Sequence, residues 1–257
     1  MSKQLIKAAL LSTILFLSAC SKDDDIQDNG NSTIGNRLST GDSAHEILSD
    51  EEFTDMVIEV VYVEGYQPSQ ISLNNLTSFI KQRCYKPGGI ELNLRAIQAP
   101  GKETYTIQEI DSIEREIRSQ YNNGKRLALF ISFMDGSFNE DTDSSVVLGV
   151  AYRNTSFVVF EETIQTLSDQ ITEPDRDLLE STVLRHEFSH LLGLVDLGTD
   201  MLTDHLDTEN GHHCNVESCL MNFKVESGVN LIGMSSEENI PKLDQQCLAD
   251  LKANGGK

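Results

Sequence analysis

The stretch His186-Glu187-Phe188-Ser189-His190, inside HEFSHLLGLVD (186–196), restricts the fold more than any other part of the chain. Two histidines four residues apart lie on one side of a helix, a turn apart, and the flanking Leu184, Phe188, Leu191 and Leu192 are apolar. Such a helix belongs in a core, with its polar side chains aimed at something inside the protein. Its start is marked by Thr172-Glu173-Pro174-Asp175, a capping residue with an early proline, and its end by Gly193. Imidazoles so placed can each put a nitrogen roughly 2.0–2.1 Å from one zinc ion, and Glu187 can take a proton from water held there. A catalytic zinc needs three protein ligands, so a third must come from elsewhere in the chain.

The frame around that helix is legible from periodicity. A β-branched run at 56–66 reads as a strand, and 72–85 as a helix with Leu73, Leu76, Ile80 and Cys84 on one face behind the cap Ser72. Residues 89–97 alternate as a strand, and 106–121 place Ile107, Ile110, Ile113 and Ile117 on one helix face with charge on the other. Strands follow at 126–134, 146–152 and 156–160, then the histidine helix. The order predicts an α/β sheet layered with helices. The acidic loop 135–145 lacks the spacing and glycine of a calcium-binding hand and reads as a solvated turn.

At 257 residues and 39% hydrophobic, the chain can build one substantial core, placed at 46–257. Its formal charge of −21 argues against nucleic acid or an anionic membrane surface as partner. Residues 1–20 combine Lys3 and Lys7 with a short apolar run, which is a secretory signal and not a spanning helix. Leu17-Ser18-Ala19-Cys20 resembles a bacterial lipobox, which implies lipidation at Cys20 and a membrane anchor. SKDDD after it resembles the acidic export signal of surface lipoproteins in Bacteroidetes, and 21–45 is polar enough to be a tether. Cys84, Cys214, Cys219 and Cys247 remain, an even number in an exported chain, which allows two disulfides whose pairing sequence alone does not give. Short spacing favours Cys214 with Cys219.

His186, Glu187, His190 and Gly193 resemble, in register, the pattern H-E-x-x-H-x-x-G-x-x-H/D of metzincin zinc peptidases, which continues to a methionine-containing turn under the metal. His213-Cys214, then Cys219 and Met221, resemble the archaemetzincin run within that clan, and the likeness spans roughly residues 55–225. It implies a twisted mixed sheet layered with helices, an active-site helix followed by the methionine turn and a small C-terminal subdomain. It also implies zinc, with Glu187 as general base, and a protein or peptide substrate extended along an edge strand at Val146–Tyr152. A monomer is expected.

Two departures bear on the site. The family's third histidine follows the glycine by three residues, where this chain has Asp196; some twenty residues separate Gly193 from His213. His213, Asp196 and His205 are therefore alternative third ligands, with His212 as a neighbour. His213 is favoured because its spacing to Cys214, Cys219 and Met221 is the family's own and imidazole is the commoner zinc ligand. The Cys-x-x-Cys that completes a structural zinc site in that family is also missing, with only Cys247 beyond Met221, so a Cys214–Cys219 disulfide is expected in place of a second zinc. Two other functions compete: a non-catalytic surface lipoprotein binding glycan or protein, and a zinc amidase acting on cell-wall material. Retention of Glu187 speaks against the first, as does the absence of tryptophan for a glycan platform.

Overall fold

The computed structural model describes residues 33–142, 146–168, 175–226 and 240–257. The signal segment, Cys20 and the acidic run after it lie outside the described residues. The chain enters through a 3-10 turn (Ile34–Asn36) and α1 (Ala44–Leu48), then β1 (Asp55–Val63), α2 (Gln70–Arg83), β2 (Gly89–Ile97), β3 (Thr104–Tyr105) and α3 (Ile107–Ile117). It continues through β4 (Arg126–Met134), β5 (Ser137–Phe138), β6 (Gly149–Arg153), β7 (Ser156–Phe160), α4 (Glu161–Ser168) and α5 (Arg176–Leu191), and ends with α6 (Phe223–Glu226) and α7 (Gln245–Ala253).

Five strands form one sheet in the order β2-β1-β4-β7-β6. The first four run parallel and β6 is antiparallel at the edge. The pleat divides the apolar runs between two layers. Met56, Ile58 and Val60 of β1 and Leu127, Leu129, Ile131 and Phe133 of β4 join Leu73, Leu76 and Ile80 of α2 and Leu184 and Phe188 of α5 in one core. Val63, Met134, Val158 and Phe160 form a smaller core on the opposite face with Ile110 of α3. Strands buried on both sides explain why these runs are continuous and not alternating.

Several boundaries move. The cap of α2 is Ser69, whose hydroxyl accepts from the Ser72 amide, while Ser72 turns inward and donates to Glu180 at 2.7 Å. The strand expected from Val146 begins at Gly149. In α3 the charged face is not wholly solvated: Glu114 and Arg118 are fully buried as a pair at 2.7 Å, with Arg118 also donating to the Ala128 carbonyl and Ser156 accepting from it. Those extra bonds are what a buried ion pair requires to offset desolvation. Within the loop expected as a solvated turn, Ser137–Phe138 pairs with β3, and Asp135 accepts from the Tyr105 hydroxyl at 2.6 Å.

The segment 33–45, read from sequence as tether, is packed. Asn36 is fully buried, its amide donating to Asn122 and to the Ala128 carbonyl, and Arg37 pairs with Asp111. Polar side chains hold it, so the scarcity of apolar residues misleads.

Candidate metal and catalytic site

Helix α5 is capped by Asp175, which accepts from the Asp177 amide. Residues 172–174, the rest of the expected start, lie outside the described residues. The helix is buried along nearly its whole length, between α2 and the β6–β7 edge. His186, Glu187 and His190 are respectively 0, 1 and 7% exposed. The helix stops where Gly193 takes φ +73°, and any side chain there would lie 2.7 Å from the Thr199 amide. The chain doubles back, with the Thr199 hydroxyl donating to the Leu192 carbonyl at 2.6 Å.

The three alternative ligands separate clearly. Asp196 has a left-handed backbone, φ +67°, and is exposed after the turn. His205 is buried, but Nε2 donates to Asp250 at 2.7 Å and Nδ1 faces the Cys214 sulfur. His213, 8% exposed, comes to α5: its ring centroid is 5.3 Å from those of both His186 and His190. One nitrogen from each of the three lies within 4.8 Å of the others.

Hydrogen bonds fix which nitrogen each ring presents. His186 Nδ1 lies 2.7 Å from the Leu220 carbonyl, and His213 Nδ1 lies 2.7 Å from that of Gly211. A carbonyl only accepts, so both Nδ1 atoms carry protons and both Nε2 atoms carry the lone pair. His186 Nε2 sits 3.1 Å from His190 Nε2. A tetrahedral zinc with nitrogens about 2.0–2.1 Å away spaces them about 3.3 Å apart. Burial first, then His186, His213 and His212 nearby, push His190 well below the usual histidine range and keep it neutral. Three imidazoles converging in this way fit zinc in donor type and spacing.

Above them runs β6. A side chain at Gly149 would lie 2.8 Å from Glu187 Cγ and 2.9 Å from Val183 Cγ1, so the strand can cross the helix only with glycine there. The signal was present in the sequence, a lone glycine inside a strand pattern, which marks close backbone approach. Thr40 donates to the Ala151 carbonyl on the free edge of β6 at 3.1 Å. With Val150, Glu187, His190, Leu197 and His213, these residues line a cleft of about 190 Å³. Thr40 lay within the expected tether, and nothing in its local sequence marks it.

Met221 is fully buried in the turn that follows the third histidine, and its carbonyl accepts from the Cys214 amide. Leu220 beside it orients His186 through the bond already described. The disulfide expected between Cys214 and Cys219 is not formed: Cys84, Cys214, Cys219 and Cys247 are all free thiols. Cys84 is isolated in the core, where burial pushes its thiol up to about 12. Cys214 and Cys219, despite their short spacing, face Cys247 and not each other alone. Hydrogen bonds from Cys214 and Cys247 hold the Cys219 thiol low, at about 3, while the hydrogen bond with Cys219 pushes the Cys214 thiol up to about 12.

No protein-family model matches the chain, and neither does any curated protein. Among solved structures it is similar to archaemetzincin from Methanopyrus kandleri, at 16% identity over 78% of this chain and 96% of that one, with a TM-score of 0.49. It is also similar to a zinc-dependent peptidase from Methanocorpusculum labreanum, at 13% identity over 76% and 99% of the two chains and a TM-score of 0.44. A third similar structure is metalloproteinase-II from Bacteroides fragilis, at 14% identity, 85% of this chain, 59% of that one and a TM-score of 0.40. Function at such distances is carried by the residues of the site.

Proposed function

We propose that this chain is a zinc-dependent metallopeptidase that hydrolyses peptide bonds of extracellular proteins or peptides. The observation that carries the reading is the convergence of His186, His190 and His213 within 4.8 Å, with Glu187 beside them beneath the edge strand. His186, His190 and His213 would hold the metal, and Met221 would lie in the supporting turn. Zinc held there supplies a Lewis acid that polarises a carbonyl and acidifies water. Glu187, 1% exposed, is the group that accepts the water's proton and returns it to the leaving amine. Main-chain groups on the free side of β6, at Gly149 and Ala151, align an extended substrate by strand addition. Thr40 already occupies the Ala151 carbonyl, so pairing on that side is short.

The decisive variant is Glu187→Gln, which keeps every metal ligand and removes the proton acceptor. Its zinc content stays at the wild-type level and its turnover of a quenched peptide library drops by about 10²–10⁴. Turnover near wild type would overturn the assignment of the base. Cleavage of cell-wall amides but not of any peptide would identify an amidase instead.

The cellular setting is carried by the sequence alone. A chain lipidated at Cys20 would work as a monomer on the outer face of the cell, with a membrane as its only other partner. Cys20→Ser then releases the domain from the membrane fraction or leaves its signal uncleaved, read by fractionation and mass; a processed, membrane-bound variant would rule out the anchor.

A further inference from the structure

We infer that the cleft between α2, α5 and the segment leading into α7 binds a doubly charged oxyanion, phosphate or sulfate. Its residues are ones that the peptidase reading does not use, and the inference holds whether or not the chain cleaves peptides.

The charge of the lining comes first. The chain carries 41 Asp+Glu against 20 Lys+Arg, yet this cavity of about 370 Å³ is lined by Arg83, Arg185 and Lys242 and, among the described residues, by no carboxylate. The three cations come from three separate parts of the fold: Arg83 ends α2, Arg185 lies in α5, and Lys242 precedes α7. Another basic cluster in the molecule is built differently, since Arg37, Arg115 and Arg153 all pair with one carboxylate, Asp111.

Arg83 shows that the charge is not answered within its surroundings. Among the described residues its guanidinium has one long hydrogen bond, from Nη1 to the Gln82 carbonyl at 3.4 Å, and its Nε is buried without a hydrogen-bond partner. Burial pulls its pKa below the usual arginine range, and only the adjacent Cys84 thiol acts against that. A partly buried cation short of acceptors costs free energy until an anion meets it.

The donors are also held in place. Arg83 Cζ lies 5.2 Å and Arg185 Cζ 5.9 Å from the centroid of the Phe79 ring. That ring is buried and packs edge-on against Phe188 of α5 at 6.3 Å. A fixed ring that attracts two guanidiniums orients them before any ligand arrives, which lowers the ordering cost of binding. Each fork can bind an oxyanion through two parallel N–H bonds, and Lys242, exposed at the mouth, adds a mobile point charge. A carboxylate has two oxygens, which one fork already fills; a tetrahedral dianion has four and so serves both forks and the ammonium.

Position gives the ion a consequence. Arg185 directly precedes His186, and the Lys242 carbonyl accepts from the Leu220 amide at 2.9 Å. Leu220 in turn orients His186 through its own carbonyl. An anion that draws Arg185 and Lys242 together braces that support from behind.

The test titrates inorganic phosphate, then sulfate, then acetate into the mature protein by calorimetry in a low-salt buffer free of all three. Saturable binding of a single phosphate or sulfate per chain is expected, with acetate weaker by roughly tenfold or more. Whichever of the two dianions binds more tightly identifies the ion. Arg83→Gln is expected to lower that affinity roughly 10- to 100-fold, the worth of hydrogen bonds to a charged group. Arg83→Lys, which keeps the charge and loses the fork, falls between the two. Arg115→Gln, in the cluster around Asp111, leaves the affinity unchanged. His186→Ala/His190→Ala binds as wild type does, which separates this cleft from an anion on a metal at the histidine centre. If Arg83→Gln does not fold, Arg83→Lys and Lys242→Gln decide, each expected to bind more weakly than wild type. The inference is overturned by no saturable binding at millimolar phosphate and sulfate, by acetate binding as tightly as they do, or by equal weakening in Arg115→Gln. Loss of binding in His186→Ala/His190→Ala, or wild-type affinity in both Arg83→Lys and Lys242→Gln, overturns it as well.

Discussion

The chain up to Gly193 and the chain after it share one core but differ in how regularly the backbone pairs around it. Before Gly193, parallel strands in continuous register and a core drawn from β1, β4, α2 and α5 fix each element by burial. After it, the regular elements among the described residues are the four-residue α6 and the nine-residue α7; Leu194, Leu220, Met221, Val225, Leu243 and Leu251 enter the same core, and isolated bridges and two clusters of polar side chains add to it. The first region tolerates local change because neighbouring contacts repeat. The second shares that burial but has little regular pairing among its described residues, so the placement of its histidines also depends on a few donor atoms.

That contrast is tested most strongly at the join between the regions. His213→Ala removes one of three ligands and is expected to lower zinc affinity at the His186–His190 centre by more than 100-fold, beyond the 10–100-fold typical of groups behind the ligands. Asp196→Asn, which tolerates the left-handed backbone, leaves affinity within a few-fold of wild type. Competition with a chromophoric chelator measures both, and an exchange of the two outcomes would return the third ligand to Asp196.

The same contrast decides what could be read from sequence. Strands β1, β4 and β7 announce themselves as continuous apolar runs, β2 by alternation, α2 by its apolar face and α5 by its start and stop signals around the paired histidines. The pair His186–His190 is legible because both residues share one helical face. His213 is not: sequence leaves it beside Asp196 and His205, and only the turn at Gly193, with left-handed Val195 and Asp196 following, sends the chain away and brings it back. The cysteines mislead for a related reason. Spacing suggests a pair, but Cys247 and His205 arrive through tertiary structure that no local pattern encodes. Thr40 and Asn36 were hidden because polar side chains, not apolar ones, dock their segment.

Within the first region, Gly149→Ala asks whether redundancy of contact protects a crowded crossing. The new methyl would lie 2.8 Å from Glu187 Cγ and 2.9 Å from Val183 Cγ1, both buried on α5. Overpacking of this kind costs about 1–3 kcal/mol. Urea unfolding gives the loss, and because the methyl also displaces Glu187, kcat falls while zinc content does not. An unchanged midpoint would mean that β6 lifts freely from the helix.

The smallest effect per unit change is a pH slope from the base of α5, far from the histidine cluster. Glu161 and Glu180, both fully buried, share one cation: Arg176 lies 2.6 Å from the first and 2.8 Å from the second. One positive charge cannot serve two carboxylates, and burial, then the Glu180 charge, raises Glu161 to about 8. Its unfolded value is near 4.5, so between those limits the folded state holds a proton that the unfolded chain has released. Stability from this group is therefore greatest below about 4.5 and declines as pH rises toward about 8, with a slope of at most about 1.4 kcal/mol per unit for one proton. Glu161→Gln keeps a neutral acceptor and donor beside Arg176 and removes that proton from the balance. Urea midpoints taken at half-unit steps across this range should fall for wild type and stay nearly level for the variant. Parallel curves would place the proton elsewhere and show that Arg176 neutralises the pair as a unit.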